Sequence, residues 1–348
     1  MPLNEESRPA EFLTVPTALG EVSVRLSGRV GDDAPALLLL HANPGDSRDF
    51  DAVLPALERE FAVAAPDWPG FGRSTAPYPD RVGAEDLVDV AEDVLDALAA
   101  RGLRRFAVVG NSVGGYVAAR LARRRTAATA AVVLVSPGGF TRHSPVTRAF
   151  CRRVMGRPAR ARWLVRPLAR AYLGRLATDS IRATYARACA VPGEPRRLAV
   201  HCALWRSFAE PGFDLTDPAA GPAGTGVPVL LVWGRRDPVV PAATDGRRAR
   251  RALPDAASSA LPTGHEPYNE RPELFLAHVL PFLREHAGRP GESGAPGTSR
   301  PYEGYAPDGA EAPERPRERP DGRPEPEPEP RSEPGSESES REGRRAAG

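Results

Sequence analysis

The sequence contains no lysine, only three cysteines and no long apolar run. All 47 basic residues are therefore arginines, as expected of a composition biased toward Arg, Ala, Gly and Pro. Cys151, Cys189 and Cys202 are odd in number and lack the spacing of metal ligands, so we predict no disulfide framework and no metal site. We also expect no cofactor. The richest apolar run, Ala36–Leu40, is far too short to cross a bilayer, and residues 1–10 lack the apolar stretch of a secretory signal.

Length and charge limit the class of protein. The 348 residues suffice for one large α/β domain with an insertion, or for two modest domains. The formal net charge of +2 is close to balance, so it favours neither a nucleic-acid nor a membrane partner. Without a secretory signal or a spanning segment, a cytoplasmic location is the default, and we expect a small-molecule partner and no nucleic acid. The sequence predicts no particular oligomeric state.

Short apolar runs alternate with segments of helical spacing. The apolar runs lie at residues 12–17, 21–26, 35–41, 61–66, 106–109, 131–135, 229–233 and 258–261. The helical segments of this part of the chain lie at residues 50–58, 84–101 and 113–125. Strands that are apolar on both sides and alternate with helices are typical of a parallel sheet covered on both faces. The sequence thus predicts an α/β fold with a doubly wound, mostly parallel sheet.

The distance between the last two sheet segments predicts an inserted lid. About ninety residues separate the runs that end at Val135 and begin at Val229, which is far longer than an ordinary crossover. Fifteen arginines and four acidic residues lie within residues 140–216, which we interpret as a helical lid. The α/β core then comprises residues 1–139 and 217–286. Residues 287–348 are rich in Pro, Glu, Arg, Gly and Ser, and we predict that they are disordered.

A Gly-rich turn carries the strongest chemical signal. The segment Gly110-Asn111-Ser112-Val113-Gly114-Gly115 follows a predicted strand and opens a predicted helix, which is the context of the G-x-S-x-G nucleophile elbow. Ser112 is the predicted nucleophile. Gly110 and Gly114 are the small residues that such a tight turn requires. The helix start also places backbone N–H groups near a nascent oxyanion.

A serine nucleophile needs a base and an orienting acid. His265 follows a predicted strand and precedes the last helix, so it should lie at the carboxyl edge of the sheet. Asp237 follows the strand at 229–233 and is the predicted acid, which gives the chain order Ser, Asp, His. Glu266 adjoins the base but should point away from its ring. The histidines that fit worse are His41, His143, His201, His278 and His286.

An oxyanion hole requires two N–H donors. Val113, directly after the nucleophile, should supply one of them. Asn43 should supply the other from the loop after the first long strand, where Pro44 and Gly45 fix the shape of the loop.

Four motifs together resemble the α/β-hydrolase superfamily, of the type with a lid between its sixth and seventh strands. They are, in chain order, DWPGFGRS, GNSVGG, WGRRDPVVP and TGHEPYNERPE, and the resemblance covers residues 12–285. The family's usual H-G-x-P loop appears as His41-Ala42-Asn43-Pro44, which is similar to the loop of haloalkane dehalogenases. Those enzymes use an aspartate nucleophile, so Ser112 argues against dehalogenation. The GNS-x-GG elbow also occurs in carbon–carbon bond hydrolases that cleave ring-fission products.

The sequence therefore predicts an esterase-like serine hydrolase with Ser112, His265 and Asp237 as its triad. The expected reaction is hydrolysis of a carboxylic ester or related acyl compound through an acyl-enzyme. Carbon–carbon bond hydrolysis and cofactor-free perhydrolysis remain open, because both can use the same triad. A non-catalytic binding protein on the same fold is a third alternative.

Overall fold

The computed structural model describes residues 11–28 and 35–288, and most of the predicted disordered tail lies outside these ranges. Within them, eight strands form one sheet. The strands are β1 (Glu11–Thr17), β2 (Gly20–Gly28), β3 (Ala36–Leu40), β4 (Ala62–Pro66), β5 (Phe106–Asn111), β6 (Thr129–Val135), β7 (Val229–Gly234) and β8 (Ala257–Leu261).

Helices connect most of the strands. The α-helices are α1 (Leu54–Leu57), α2 (Asp86–Ala99), α3 (Val113–Arg124), α4 (Pro145–Ala149), α5 (Pro158–Tyr172), α6 (Asp179–Ala190), α7 (Pro195–Ser207), α8 (Arg247–Ala252), α9 (Pro267–Glu270) and α10 (Pro272–His286). Turns of 3-10 helix cover Ser47–Phe50, Pro79–Arg81, Thr126–Ala128 and Val191–Gly193, and π-helical turns cover Phe150–Met155 and Ala242–Gly246. None of the helices in the described ranges combines the length and the apolarity needed to span a membrane.

The strand order is β1-β2-β4-β3-β5-β6-β7-β8. The first pair is an antiparallel hairpin, and β2 is also antiparallel to β4. All other neighbours run parallel. Parallel pairs require crossover connections, and the helices between these strands supply them. The predicted α/β fold with a doubly wound, mostly parallel sheet is confirmed.

Both faces of the sheet are buried. On β3, Leu38 and Leu40 pack in a core that includes α2 and α3, whereas Leu37 and Leu39 pack in a second core that includes α1 and α10. Successive side chains of a strand point to opposite faces, so an uninterrupted run of leucines fits only a strand covered on both sides. Each fully buried leucine contributes about 1.5–3 kcal/mol of transfer free energy.

The helix predicted over residues 50–58 is interrupted. The structure has a 3-10 turn over Ser47–Phe50, capped by the Asp46 side chain, and then the single turn α1. Pro55 lies in the first turn of α1. Its ring removes one N–H donor and clashes with the preceding turn, so a continuous helix through this residue is disfavoured.

We call residues 136–228, between β6 and β7, the insertion. It contains α4 to α7, in agreement with the helical character expected from the sequence. Its last part contains no α-helix. There Phe213 and Leu215 pack in the core that includes α2 and α3, and the Phe213 ring lies 4.5 Å from that of Tyr116. The division of the chain at residues 140 and 216, and the role of this segment as a lid, stay predictions.

Candidate active site

Ser112 occupies a strained turn between β5 and α3. Its backbone angles are φ 57° and ψ −116°, a conformation that residues other than glycine rarely adopt. The Ser112 N–H donates to the Val135 carbonyl at 3.0 Å, and the Ser112 carbonyl accepts from the Gly138 N–H at 2.8 Å. These bonds from the end of β6 and the loop after it hold the strained residue in place, and backbone strain of this kind makes Ser112 a candidate functional residue.

Both glycines of the predicted elbow lie where another segment of backbone is in contact. A Cβ atom at Gly110 would lie 2.1 Å from the Gly114 carbonyl oxygen. A Cβ atom at Gly114 would lie 2.2 Å from the Leu40 carbonyl oxygen. No side chain fits at either position without moving β3, β5 or α3 apart.

His265 and Asp237 are joined at the carboxyl edge of the sheet. The Nδ1 atom of His265 lies 2.5 Å from Oδ2 of Asp237, and both side chains are almost completely buried. The other Asp237 oxygen accepts from the Val239 and Val240 N–H groups at 2.8 and 3.1 Å. Because a carboxylate only accepts, the His265 proton resides on Nδ1 and the Nε2 lone pair is available as a base.

The surroundings of His265 raise its pKa. Burial acts to lower the pKa, but the charge of Asp237 and the hydrogen bond to it outweigh burial, so the pKa lies above the ordinary value of 6.5. A buried base stabilised in its protonated form by a carboxylate is suited to accept a proton from a hydroxyl.

Asn111 connects the elbow to the loop that carries His265. Its fully buried side chain donates from Nδ2 to the Val135 carbonyl at 2.9 Å and to the His265 carbonyl at 3.1 Å. Its Oδ1 atom accepts from the Tyr268 hydroxyl at 3.1 Å. The residue directly before Ser112 is therefore bonded to the backbone of the candidate base, which brings these two distant parts of the chain together.

The predicted oxyanion loop is held by a histidine of the insertion. Oδ1 of Asn43 accepts from Nδ1 of His201 at 2.9 Å, and Nδ2 of Asn43 donates to the His201 carbonyl at 3.4 Å. Burial lowers the pKa of His201 to about 3, so the ring is neutral. In the part of the chain that the structure describes, the N–H groups of Asn43 and Val113 donate to no protein acceptor. Both remain available to a ligand, as the prediction for these residues requires.

His41 has a structural role in the same loop. It is fully buried, and its Nε2 atom accepts from the Trp68 N–H at 2.8 Å. The Trp68 indole in turn donates to the His41 carbonyl at 2.8 Å. With Nδ1 bonded to the Ala42 carbonyl at 2.7 Å, both ring nitrogens are occupied, so His41 is not available as a base.

A buried polar network extends from Glu266 into the insertion. The Glu266 carboxyl accepts from Nδ2 of Asn269 at 3.0 Å, which also donates to Thr184 at 2.9 Å. The Thr184 hydroxyl donates to Asp49 at 3.2 Å, and Asp49 pairs with Arg187 at 2.7 Å. Burial, together with the charge of Asp49, raises the pKa of Glu266 to about 8, which favours the neutral form of this carboxyl beside the candidate base.

The sequence did not predict His201 or this network as part of the site. Glu266 is visible beside His265 in the sequence, but Asp49 and Thr184 are 135 residues apart and belong to no motif. Only the packing of α6 against the turn at Ser47–Phe50 brings them together.

All three cysteines are free. Burial raises the pKa of the Cys151 and Cys202 thiols to about 11, so both stay protonated and are poor nucleophiles. Within residues 11–28 and 35–288, no group of three or more His, Cys, Asp or Glu side chains could hold a metal ion.

The chain is similar to several known proteins. An uncharacterised protein of Mycobacterium tuberculosis is 27% identical over 283 residues, which cover 74% of this chain and 78% of that protein. A hydrolase from Pseudomonas aeruginosa has the same fold, with a TM-score of 0.65 and 23% identity over 79% of this chain and 98% of that one. A thermophilic esterase from Thermogutta terrifontis has a TM-score of 0.63 and 25% identity over 79% of this chain and 99% of that one. The family profile of the alpha/beta hydrolase fold matches residues 35–272. The chain therefore belongs to the α/β-hydrolase superfamily.

Proposed function

We propose that the protein is a serine hydrolase that cleaves a carboxylic ester or a related acyl compound. The observation that carries the proposal is the strained Ser112 turn, bonded through Asn111 to the loop in which His265 pairs with Asp237. The similarity to a thermophilic esterase supports the same reaction class.

In the first half of the reaction, Oγ of Ser112 attacks the carbonyl carbon of the substrate while Nε2 of His265 takes the hydroxyl proton. Asp237 stabilises the imidazolium that results. The N–H groups of Asn43 and Val113 donate to the carbonyl oxygen as it becomes negative, and each such donor contributes about 10²–10³-fold in kcat. His265 then passes the proton to the leaving alcohol, which departs and leaves an acyl group on Ser112.

In the second half, His265 takes a proton from a water molecule, whose oxygen attacks the acyl carbon. The tetrahedral intermediate collapses, the carboxylic acid leaves and Ser112 regains its proton from His265. The insertion serves as a lid in this proposal. Its α5 lies directly against the base, because the Tyr172 carbonyl accepts from the His265 N–H at 2.8 Å and the two rings meet edge to face at 5.6 Å.

A fluorophosphonate probe tests the nucleophile. The wild-type protein should be labelled at Ser112, and Ser112→Ala should not be labelled. Ser136→Ala is the matched control, because Ser136, like Ser112, has a positive φ and directly follows a strand, and this variant should keep the label. A folded wild-type protein that takes up no label would contradict the proposal.

Turnover tests the bond that is cleaved. The purified protein should hydrolyse simple carboxylic esters with a higher kcat/KM than a vinylogous diketone, the substrate type of carbon–carbon bond hydrolases. A higher kcat/KM on the vinylogous diketone would leave the proposed triad in place but would make the protein a carbon–carbon bond hydrolase.

A further inference from the structure

One segment of the insertion concentrates positive charge that is almost without counter-charge. Residues 142–175 contain ten arginines and no acidic residue. Among the described residues, only Arg152 of these ten has a carboxylate partner, Glu210 at 2.9 Å. On α3, by contrast, Arg124 pairs with Asp89 and Glu92 of α2 at 2.6 and 2.8 Å. A compositional bias toward arginine explains the number of arginines but not why nine of them lack a carboxylate partner.

The same segment exposes large apolar side chains. Trp163 is 72% exposed and Val146 78%, and Phe150 and Leu164 are also exposed. Elsewhere in the described ranges, Phe12 and Tyr78 are the only large hydrophobic residues that are exposed. We call the exposed side chains of residues 142–170 the α4–α5 face.

A hydrogen bond connects α5 to the π-helical turn that precedes it. The Arg160 guanidinium, in the first turn of α5, donates to the Arg153 carbonyl of the preceding π-helical turn at 2.5 Å. The Arg162 guanidinium lies 5.1 Å from the centre of the Trp163 ring. Cationic and apolar side chains are therefore interleaved along α5 and not separated into different regions.

We propose that the α4–α5 face docks onto the surface of an anionic lipid bilayer. Trp163, Leu164 and Val146 would enter the boundary between headgroups and acyl chains, which removes their apolar surface from water. The arginines would bind the anionic headgroups, since their long side chains can reach outward while their stems stay in apolar surroundings. A nucleic acid would satisfy the arginines and could stack on Trp163, but it would leave Val146 and Leu164 in water, so a lipid surface fits better.

Docking of this face would place the bilayer close to the candidate active site, because α5 contacts the loop that carries His265. The helix ends at Tyr172, whose carbonyl bonds to the His265 N–H. A bilayer bound along α5 would therefore lie on the helix that contacts the candidate base. The docking itself does not rest on the proposed function, because it is measured as binding without turnover.

Vesicle binding tests the proposal. The full-length chain is sedimented with vesicles of phosphatidylcholine alone and with mixed phosphatidylcholine–phosphatidylglycerol vesicles. We expect binding to the mixed vesicles only, and weaker binding as salt rises, because salt screens exposed charges. Equal binding to both vesicle types, or binding to neither, would overturn the proposal. Binding to heparin or DNA without binding to the mixed vesicles would overturn it in favour of a different polyanion.

Matched variants test whether an exposed aromatic side chain of the α4–α5 face contributes more to vesicle binding than an exposed aromatic side chain elsewhere. Trp163→Ala should weaken partitioning onto mixed vesicles on the order of tenfold. Tyr78→Ala is the control, because Tyr78 is 59% exposed and also has an arginine, Arg81, 5.0 Å from the centre of its ring. It should bind as the wild type does. Equal effects of both substitutions would show that the α4–α5 face is not the contact surface.

Charge variants test the arginines. Replacing both Arg157 and Arg162 by glutamine should weaken partitioning by about fivefold per charge removed. The control replaces Arg250 and Arg251 of α8 by glutamine, which removes the same charge from another exposed helix and should have little effect. If both pairs reduce binding equally, net charge and not the face governs binding.

Tryptophan emission provides an independent readout. Of the four tryptophans, Trp68 and Trp233 are buried and Trp205 is half-buried, so only Trp163 is strongly exposed. Mixed vesicles should shift the emission of the wild type to shorter wavelength. Trp163→Phe should still sediment with the vesicles but lose the shift. A shift that persists in this variant would place the contact elsewhere.

Discussion

Replacing Asn111 by alanine tests the connection between the elbow and the base. Its side chain makes three buried hydrogen bonds, to the carbonyls of Val135 and His265 and from the Tyr268 hydroxyl. The Val135 carbonyl keeps a second donor, the Ser112 N–H. In the described part of the chain, the His265 carbonyl and the Tyr268 hydroxyl have no other protein partner.

Two buried polar groups thus lose their partner in Asn111→Ala. At about 1–3 kcal/mol for each, the free energy of unfolding should fall by about 2–6 kcal/mol. The loop carrying His265 also loses a bond that fixes its distance from Ser112. A displacement of the base by about 1 Å would lower kcat on the order of 10²-fold.

Urea denaturation and ester hydrolysis measure the two effects. A double-mutant cycle with Tyr268→Phe provides the control, because phenylalanine has no hydroxyl to leave unpaired. The double variant should be more stable than the sum of the single losses by about 1–3 kcal/mol. A loss below about 1 kcal/mol in Asn111→Ala, with kcat unchanged, would refute the view that this side chain joins the two segments.

Four further outcomes are expected. Asp237→Asn should lower kcat about 10⁴-fold while circular dichroism stays unchanged, because the amide can favour the wrong tautomer of His265. In a pH profile, kcat/KM should rise with pH and reach its half-maximum above pH 6.5, because His265 acts as a base only when unprotonated and its pKa is raised; a midpoint below 6.5 would contradict this assignment. Gly114→Ala should yield little soluble protein in expression trials, since its Cβ would collide with a backbone carbonyl. His201→Phe should lower kcat more than it raises KM in steady-state assays of ester hydrolysis, because Asn43 loses the bond that holds it.

Much of the fold follows from local sequence. The leucines of β3 are apolar at consecutive positions, so they predict a strand buried on both faces, and the structure covers both faces with helices. The helix predicted over residues 84–101 is α2, which spans Asp86–Ala99. The prediction over residues 50–58 was less successful, because apolar spacing there gave too little weight to Pro55.

The candidate site was predictable where chemistry imposes a motif. The strained turn at Ser112 requires small neighbours at fixed distances along the chain, and these distances are visible in the sequence. The residues that support the site follow no such rule. His201 reaches Asn43 across 158 positions and Asp49 reaches Thr184 across 135, so their contacts arise only from the way the insertion packs. A single sequence holds no signal for such pairs.

The insertion and the loop that carries His265 are in close contact at two glycines, one in each segment. A Cβ atom at Gly264 would lie 2.3 Å from the Tyr172 carbonyl oxygen, and one at Gly174, where φ is +68°, would lie 2.3 Å from a carboxylate oxygen of Glu270. The Cβ position of Gly264 also lies 2.9 Å from the Gly174 nitrogen, so the two main chains meet directly. Engineering by exchange of the insertion is constrained accordingly. A chimera that keeps residues 172–174 retains the backbone contacts that hold the His265 loop, whereas one joined within them disturbs the loop of this candidate base.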